Sequence, residues 1–215
     1  MRGVLLVFHG NQGGENDRQK SLAELASGSM GVPVRCAYRR YSERRVRAVM
    51  EEMCDEGFDD ITLVPMFVSE NMYTSSIPRT FGCDSPEGAW EHGGRTVHYR
   101  ITPAVGDLPD SPRVLADMVP ADCSAVILAG KCGGDEAPAL MSGAASILES
   151  RGIRAACCAN VSDIADPAPR CDGRVAALPV SFGAGIRFHT SAEHLEPFGE
   201  HPSVISLIAA AVGDP

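Results

Sequence analysis

At 215 residues, with 44% hydrophobic and 22% charged residues, the chain has the composition of a folded globular protein and the length for one large domain or two small ones. A formal net charge of −9 argues against nucleic acid as a partner, and no apolar run approaches the ~18 residues that span a bilayer. Only five apolar residues, 4–8, precede His9, too few for the hydrophobic region of a signal peptide. A cytoplasmic location is therefore expected, with reduced thiols for the eight cysteines, which show no Cys-x-x-Cys or other zinc spacing.

Residues 4–8 form a continuous apolar run of the kind found in a buried parallel strand. A Gly-rich polar turn at 11–16 and a short helix over 18–26 follow, then a second strand over 32–38. The basic stretch after it, from Tyr38 through Arg39, Arg40, Arg44 and Arg45 to Arg47, leaves room for an anionic small ligand despite the net charge. Ser42 reads as an N-cap for a helix over 43–56, with Val46, Val49, Met50 and Met53 on one face and Gly57 as its stop. A third strand is expected over 60–68, although Pro65 removes a ladder donor. A fourth follows at 96–101 and a helix at 109–118. Strands separated by helices imply βαβ units and a parallel sheet, hence an α/β fold.

The second half repeats this plan. Phe8-His9-Gly10 falls on Leu128-Ala129-Gly130, and Tyr41-Ser42-Glu43 falls on Val161-Ser162-Asp163 at the same offset of 120. Leu63-Val64-Pro65 meets Ala177-Leu178-Pro179 at an offset of 114, and residues 103–106 pair with 197–200. The shortening falls where the second half carries Asp166-Pro167-Ala168-Pro169, which cannot build a comparable helix. Four anchors in one order indicate two tandem related halves, 1–120 and 121–215, each a small parallel sheet flanked by helices.

Ligands of open α/β sheets sit at the carboxyl ends of strands, near the switch in strand order, and His9 stands there. An imidazole can ligate divalent Co, Ni, Fe or Zn, can act as a base, or can simply cap its own loop. The segment Gly10-Asn11-Gln12-Gly13-Gly14 is neither a dinucleotide fingerprint nor a P-loop.

Taken in order, residues 4–10 with the polar turn, Tyr41-Ser42-Glu43, Val64-Pro65-Met66-Phe67, Ile77-Pro78-Arg79 and Pro103-Ala104-Val105-Gly106 resemble the class II tetrapyrrole chelatases. The nearest are the sirohydrochlorin cobalto-, nickel- and ferrochelatases of the CbiX type. The likeness spans nearly all of the first half and, more loosely, the second. It implies a chelatase-like, flavodoxin-like fold that inserts a divalent metal (Co²⁺, Ni²⁺ or Fe²⁺ as substrate) into a carboxylate-rich tetrapyrrole. Neither ATP nor an organic cofactor is implied, and the macrocycle would lie in a cleft between the halves.

The family uses two histidines. His9 matches the first; at the second, a few residues before Ile77-Pro78, this chain has Tyr73. The second half mirrors this, with Ala129 at the first position and His189-Thr190 at the other. Either His9 and His189 serve one metal across the cleft, or the site lies in the first half with Tyr73 beside His9. Glu43 could take a proton or steer the metal, or serve only as a first-turn helix acid. Arg39 and Arg40 suit the carboxylates of the macrocycle, or surface ion pairs. Asn11, Ser75, Ser76 and Thr190 are candidate polar contacts, whereas His92, His98, His194 and His201 read as structural or exposed. Alternatives are a chelatase-derived protein that binds tetrapyrrole or metal without turnover, and an unrelated flavodoxin-like binding domain. With its own two halves the chain is expected to act as a monomer or homodimer, with no membrane partner.

Overall fold

The apolar run at 4–8 becomes β1 (Arg2–Phe8), the strand around which the first sheet is laid out. Val4 to Phe8 are all fully buried, which is why the run is continuous and not alternating: both faces of the strand are covered. The computed structural model describes residues 1–10, 17–130, 138–158, 172–182 and 191–213. They form two compact units, Met1–Leu108 with Ile205–Pro215, and Pro109–Val204.

In the first unit, α1 (Asp17–Met30), β2 (Val34–Tyr38), α2 (Val46–Asp55), β3 (Asp60–Pro65), a short α3 (Met72–Ser75), β4 (Glu87–His92) and β5 (Arg95–Ile101) follow in order. The sheet runs β2-β1-β3-β5-β4, parallel throughout except that β4 pairs antiparallel with β5. The switch in strand order lies between β1 and β3. On α2 the buried residues are Val46, Val49, Met50, Met53 and Cys54, an i, i+3, i+4, i+7 stripe that packs with Leu5, Val7, Leu63, Phe81, Trp90 and Tyr99 in one core cluster.

Two expectations are corrected in this unit. α2 begins at Val46, and its N-cap is Arg45, not Ser42, because residues 42–45 are held in a turn: Tyr38 N–H donates to the Arg44 carbonyl at 2.9 Å, and Arg44 N–H donates to Ser42 Oγ at 3.1 Å. β3 stops at Pro65, whose missing donor costs nothing at a strand end; the next N–H, that of Met66, donates to the Val7 carbonyl. Before residue 96, where no element is expected from the sequence, lies β4, which turns into β5 through Gly93-Gly94, both at positive φ.

The second unit holds α4 (Ser111–Asp117), β6 (Cys123–Ala129), α5 (Ala139–Ser150), β7 (Arg154–Cys158), β8 (Arg174–Pro179) and the two-residue β9 (Glu193–His194). Its sheet runs β7-β6-β8-β9, all parallel. His194, expected to be structural or exposed, is an exposed strand residue. β9 is held by a bidentate pair from Arg174 to Glu193, at 2.7 and 2.8 Å, with Asp122 on the third guanidinium nitrogen at 2.6 Å. The last helix, α6 (Val204–Val212), counts with the first unit. Its terminal carbonyls there accept from Arg2 and Arg100 of β1 and β5, at 2.9 and 2.7 Å to Val212 O, which answers the orphan acceptors of a helix end. By contact, α4 falls with the second unit and α6 with the first.

The duplication is carried in the strand registers. β1-β3-β5 corresponds to β6-β8-β9, and in each half the third strand of the βαβ unit ends on a proline, Pro65 opposite Val7 and Pro179 opposite Ala129. Ala129 therefore answers to Val7. The sequence alignment that set Ala129 on His9 was two residues out. The last anchor shifts as well: Gly106 N–H donates to Phe67 O and Gly199 N–H to Ser181 O, so Gly106 answers to Gly199. At both glycines the chain passes so close to a neighbour (Val68 backbone, Phe182) that a Cβ would collide with it. Lys131, Asn11 with its turn, the 166–169 segment, His189 and Thr190 lie outside the described residues.

Of the eight cysteines, six are described and none of these six is in a disulfide. Cys36, Cys54 and Cys123 are buried, as expected, but Cys157 is exposed. No helix among the described residues is long and apolar enough to cross a membrane.

Candidate functional site

His9 follows directly on β1, at the carboxyl end of the first sheet and at its switch point. The backbone there is pinned to the segment after β2: Arg39 N–H donates to Phe8 O and Arg40 N–H to His9 O, both at 2.9 Å. Gly10 takes φ +90° with its α-carbon against the Arg40 carbonyl, where a Cβ would collide. His9 Nδ1 lies 3.0 Å from Gly10 O. A carbonyl can only accept, so Nδ1 carries the proton and Nε2 keeps its lone pair for a metal or a proton.

Tyr73 comes from the loop after β3. Asn71 caps α3 by accepting from Tyr73 N–H at 2.8 Å and from Thr74 N–H, and Thr74 Oγ1 answers Asn71 N–H in a capping box. Asp107 holds the same loop through Glu70 N–H at 2.6 Å. These bonds seat the Tyr73 ring 5.0 Å from the His9 ring, at an interplanar angle of 84°. Tyr73, the residue expected at the second histidine position, is thus in ring contact with His9.

Two arginines complete the cluster. Arg40 is exposed and sets its guanidinium 5.3 Å from the centre of the Tyr73 ring, a cation–π contact. Arg39 is partly buried and donates to Ser76 Oγ at 2.8 Å, while its Nε–H is buried without an acceptor among the described residues. Burial, followed by the neighbouring Arg40 and Arg45, pulls the Arg39 guanidinium below its ordinary value, and Tyr73 pulls the other way.

The remaining candidates are spread out. Glu43 is exposed on the turn between β2 and α2. Ser75 is exposed and, with Glu70, Thr74, Pro65 and Thr102, lines a cavity of about 410 Å³ at the ends of β3 and β5. No group of three His, Cys, Asp or Glu suited to holding a metal occurs among the described residues. His201 accepts from Ser203 N–H at 3.2 Å, close to the start of α6, and His92 stacks on Trp90 and faces Glu51 and Asp55 of α2; both are structural, and His98 is exposed. One neighbour of His9 received no role from the sequence: Tyr41, whose ring lies 6.2 Å away. Its only signal is position, two residues before Glu43 on a turn that returns to the end of β1.

A parallel α/β sheet with an aromatic-flanked histidine at its switch point and two arginines beside it belongs to the class of small-ligand α/β folds. Within that class, the CbiX family model matches residues 3–120, and the chain belongs to the CbiX family. No curated protein matches it. Among solved structures it is similar to SirB from Bacillus subtilis with Fe³⁺, at 15% identity and a TM-score of 0.68, covering 98% of this chain and 94% of that one. It is also similar to the sirohydrochlorin chelatase SirB from Bacillus subtilis subspecies spizizenii in complex with cobalt, at 13% identity and a TM-score of 0.63, covering 98% and 93%. At such identities the likeness is one of fold, and it extends over both halves of the chain.

Proposed function

We propose that the protein is a cytoplasmic chelatase that inserts a divalent metal (Co²⁺, Ni²⁺ or Fe²⁺) into sirohydrochlorin or a similar carboxylate-rich tetrapyrrole, without ATP or an organic cofactor. What supports this most is the contact of His9 with Tyr73 at the switch point, in a chain of the CbiX family. The solved SirB proteins of like fold were crystallised with iron and with cobalt.

Insertion exchanges two pyrrole N–H protons for one M²⁺, so the site must hold the ion weakly and accept protons. His9 Nε2 does both in turn: it ligates the arriving ion and takes one pyrrole proton as the metal passes to the ring nitrogens, the second proton leaving to solvent water. Tyr73 orients the imidazole and offers its hydroxyl as a weak oxygen ligand. Exposed Arg40 pairs with a peripheral carboxylate of the macrocycle, for which the guanidinium fork is shaped. Arg39, held by Ser76, adds positive field behind it. His189, the other residue of the split pair, is tested separately below.

Purified protein mixed with sirohydrochlorin and each metal in turn should accelerate the spectral change of insertion over the buffer rate. No acceleration with any of the three would overturn the proposal. A second reading, binding without turnover, is favoured by one observation: a phenol, a poor base near neutral pH, stands where the family has its second imidazole. It predicts tight macrocycle binding with no acceleration.

A further inference from the structure

Tyr41 is the one described non-glycine residue with positive φ, at +59°, a left-handed conformation that a bulky side chain rarely adopts. The turn that imposes it is braced on both sides, since Arg45 donates from Nη1 to Arg39 O at 2.7 Å and from Nε to Ser42 O at 2.8 Å. The result is an aromatic ring that remains 43% exposed, 6.2 Å from the His9 ring and tilted 52° to it. Folding gains less from this than a fully covered ring would give: the backbone is strained and over two fifths of the residue's surface stays in water. Costs of both kinds at one residue beside a reactive histidine point to use by a ligand. The neighbouring loop repeats the pattern, for Met72, next to Tyr73, is 74% exposed. Of the four large hydrophobic residues most exposed among those described, two therefore sit on the loops that bring His9 its aromatic neighbours.

We propose that Tyr41 is a substrate-binding residue whose ring stacks on the face of a flat conjugated macrocycle while His9 addresses the metal. The inference rests on the chelatase reading and gives it a specificity determinant: the ring selects for planar conjugation, as the arginines select for carboxylate. Stacking needs the ring and not the hydroxyl, so Tyr41→Phe should preserve it. Tyr41→Gly removes the ring and at the same time relieves the backbone, which separates binding from folding.

The test is a titration of the full chain with sirohydrochlorin, followed by absorbance, together with thermal unfolding and insertion kinetics. Tyr41→Phe should bind within about twofold of the wild type. Tyr41→Gly should unfold no earlier than the wild type yet bind about tenfold more weakly, with KM rising by more than kcat falls. If Tyr41→Gly binds within twofold of the wild type, the stacking role is overturned while the chelatase reading stands. Weaker binding accompanied by a lowered Tm in both variants would make Tyr41 structural and also overturn it. If the wild type itself binds no sirohydrochlorin, the chelatase reading fails first.

Discussion

The rings of His9 and Tyr73 meet in a T, 5.0 Å between centroids and 84° between planes, although one follows β1 and the other sits on a capped helical turn after β3. Such a pair contributes about 0.5–1.5 kcal/mol beyond burial and fixes the imidazole plane. Tyr73→Phe keeps the ring contact and deletes the hydroxyl. If that hydroxyl serves the metal or a proton, the insertion rate should fall roughly tenfold, and Tyr73→His, which restores the family's imidazole, should not show the loss. His189→Ala should stay within about twofold of the wild type. Full activity in Tyr73→Phe with a loss in His189→Ala would move the second ligand to the other half.

Arg40 and Arg39 should separate in kinetics. Arg40→Ala removes an exposed cation and is expected to raise KM for a carboxylate-rich macrocycle about fivefold, by an amount that shrinks at high salt as screening grows. Arg39→Ala also frees Ser76 and loosens the segment after β2, so kcat should fall along with binding. Initial rates at low and high ionic strength distinguish the two.

The strand registers predict matched effects in the two halves. Gly106→Ala and Gly199→Ala each place a methyl against a neighbour that has no room for it, Val68 backbone in one unit and Phe182 in the other. Each should destabilise by about 1–3 kcal/mol in denaturant unfolding. Gly143→Ala, whose added carbon would meet only the Pro112 ring, at 3.0–3.1 Å, should cost less.

Acid should loosen the second sheet at β9. Hydrogen bonding to Arg174 holds the Glu193 carboxyl below its ordinary value. A depressed carboxylate stabilises the fold above its unfolded pKa of ~4.3, and that contribution is lost as pH falls through the lower folded value. Stability should therefore decline more steeply below about pH 4 in the wild type than in Glu193→Gln. Thermal unfolding from pH 3 to 7 measures the difference.

Much of this was legible because burial writes itself into composition. The run at 4–8 is apolar throughout because both faces of β1 are covered, and the α2 stripe is periodic because one face is. β4 was illegible because only Trp90 of its six residues is buried, so no alternation marks it; Gly93-Gly94 was the available signal. The start of α2 was misread because Ser42 does make a local bond, but to a turn and not to a helix. The repeat differs from its sequence alignment because the matched glycines stand at different distances from the strand ends, and only backbone pairing reports those distances. For the site, position alone pointed to His9, and the family resemblance pointed to Tyr73. Tyr41 stood in a motif that carries the resemblance, but nothing local gave it a role, since strain and exposure are properties of the folded turn.

The most direct measurement is the initial rate of Co²⁺ insertion into sirohydrochlorin for the wild type and for His9→Ala, read from the absorbance change, with circular dichroism confirming that both are folded. The wild type should exceed the buffer rate clearly, and His9→Ala should lose about a hundredfold or more of that acceleration. A folded His9→Ala protein that inserts cobalt as fast as the wild type would contradict the assignment of His9 as the residue that receives the metal.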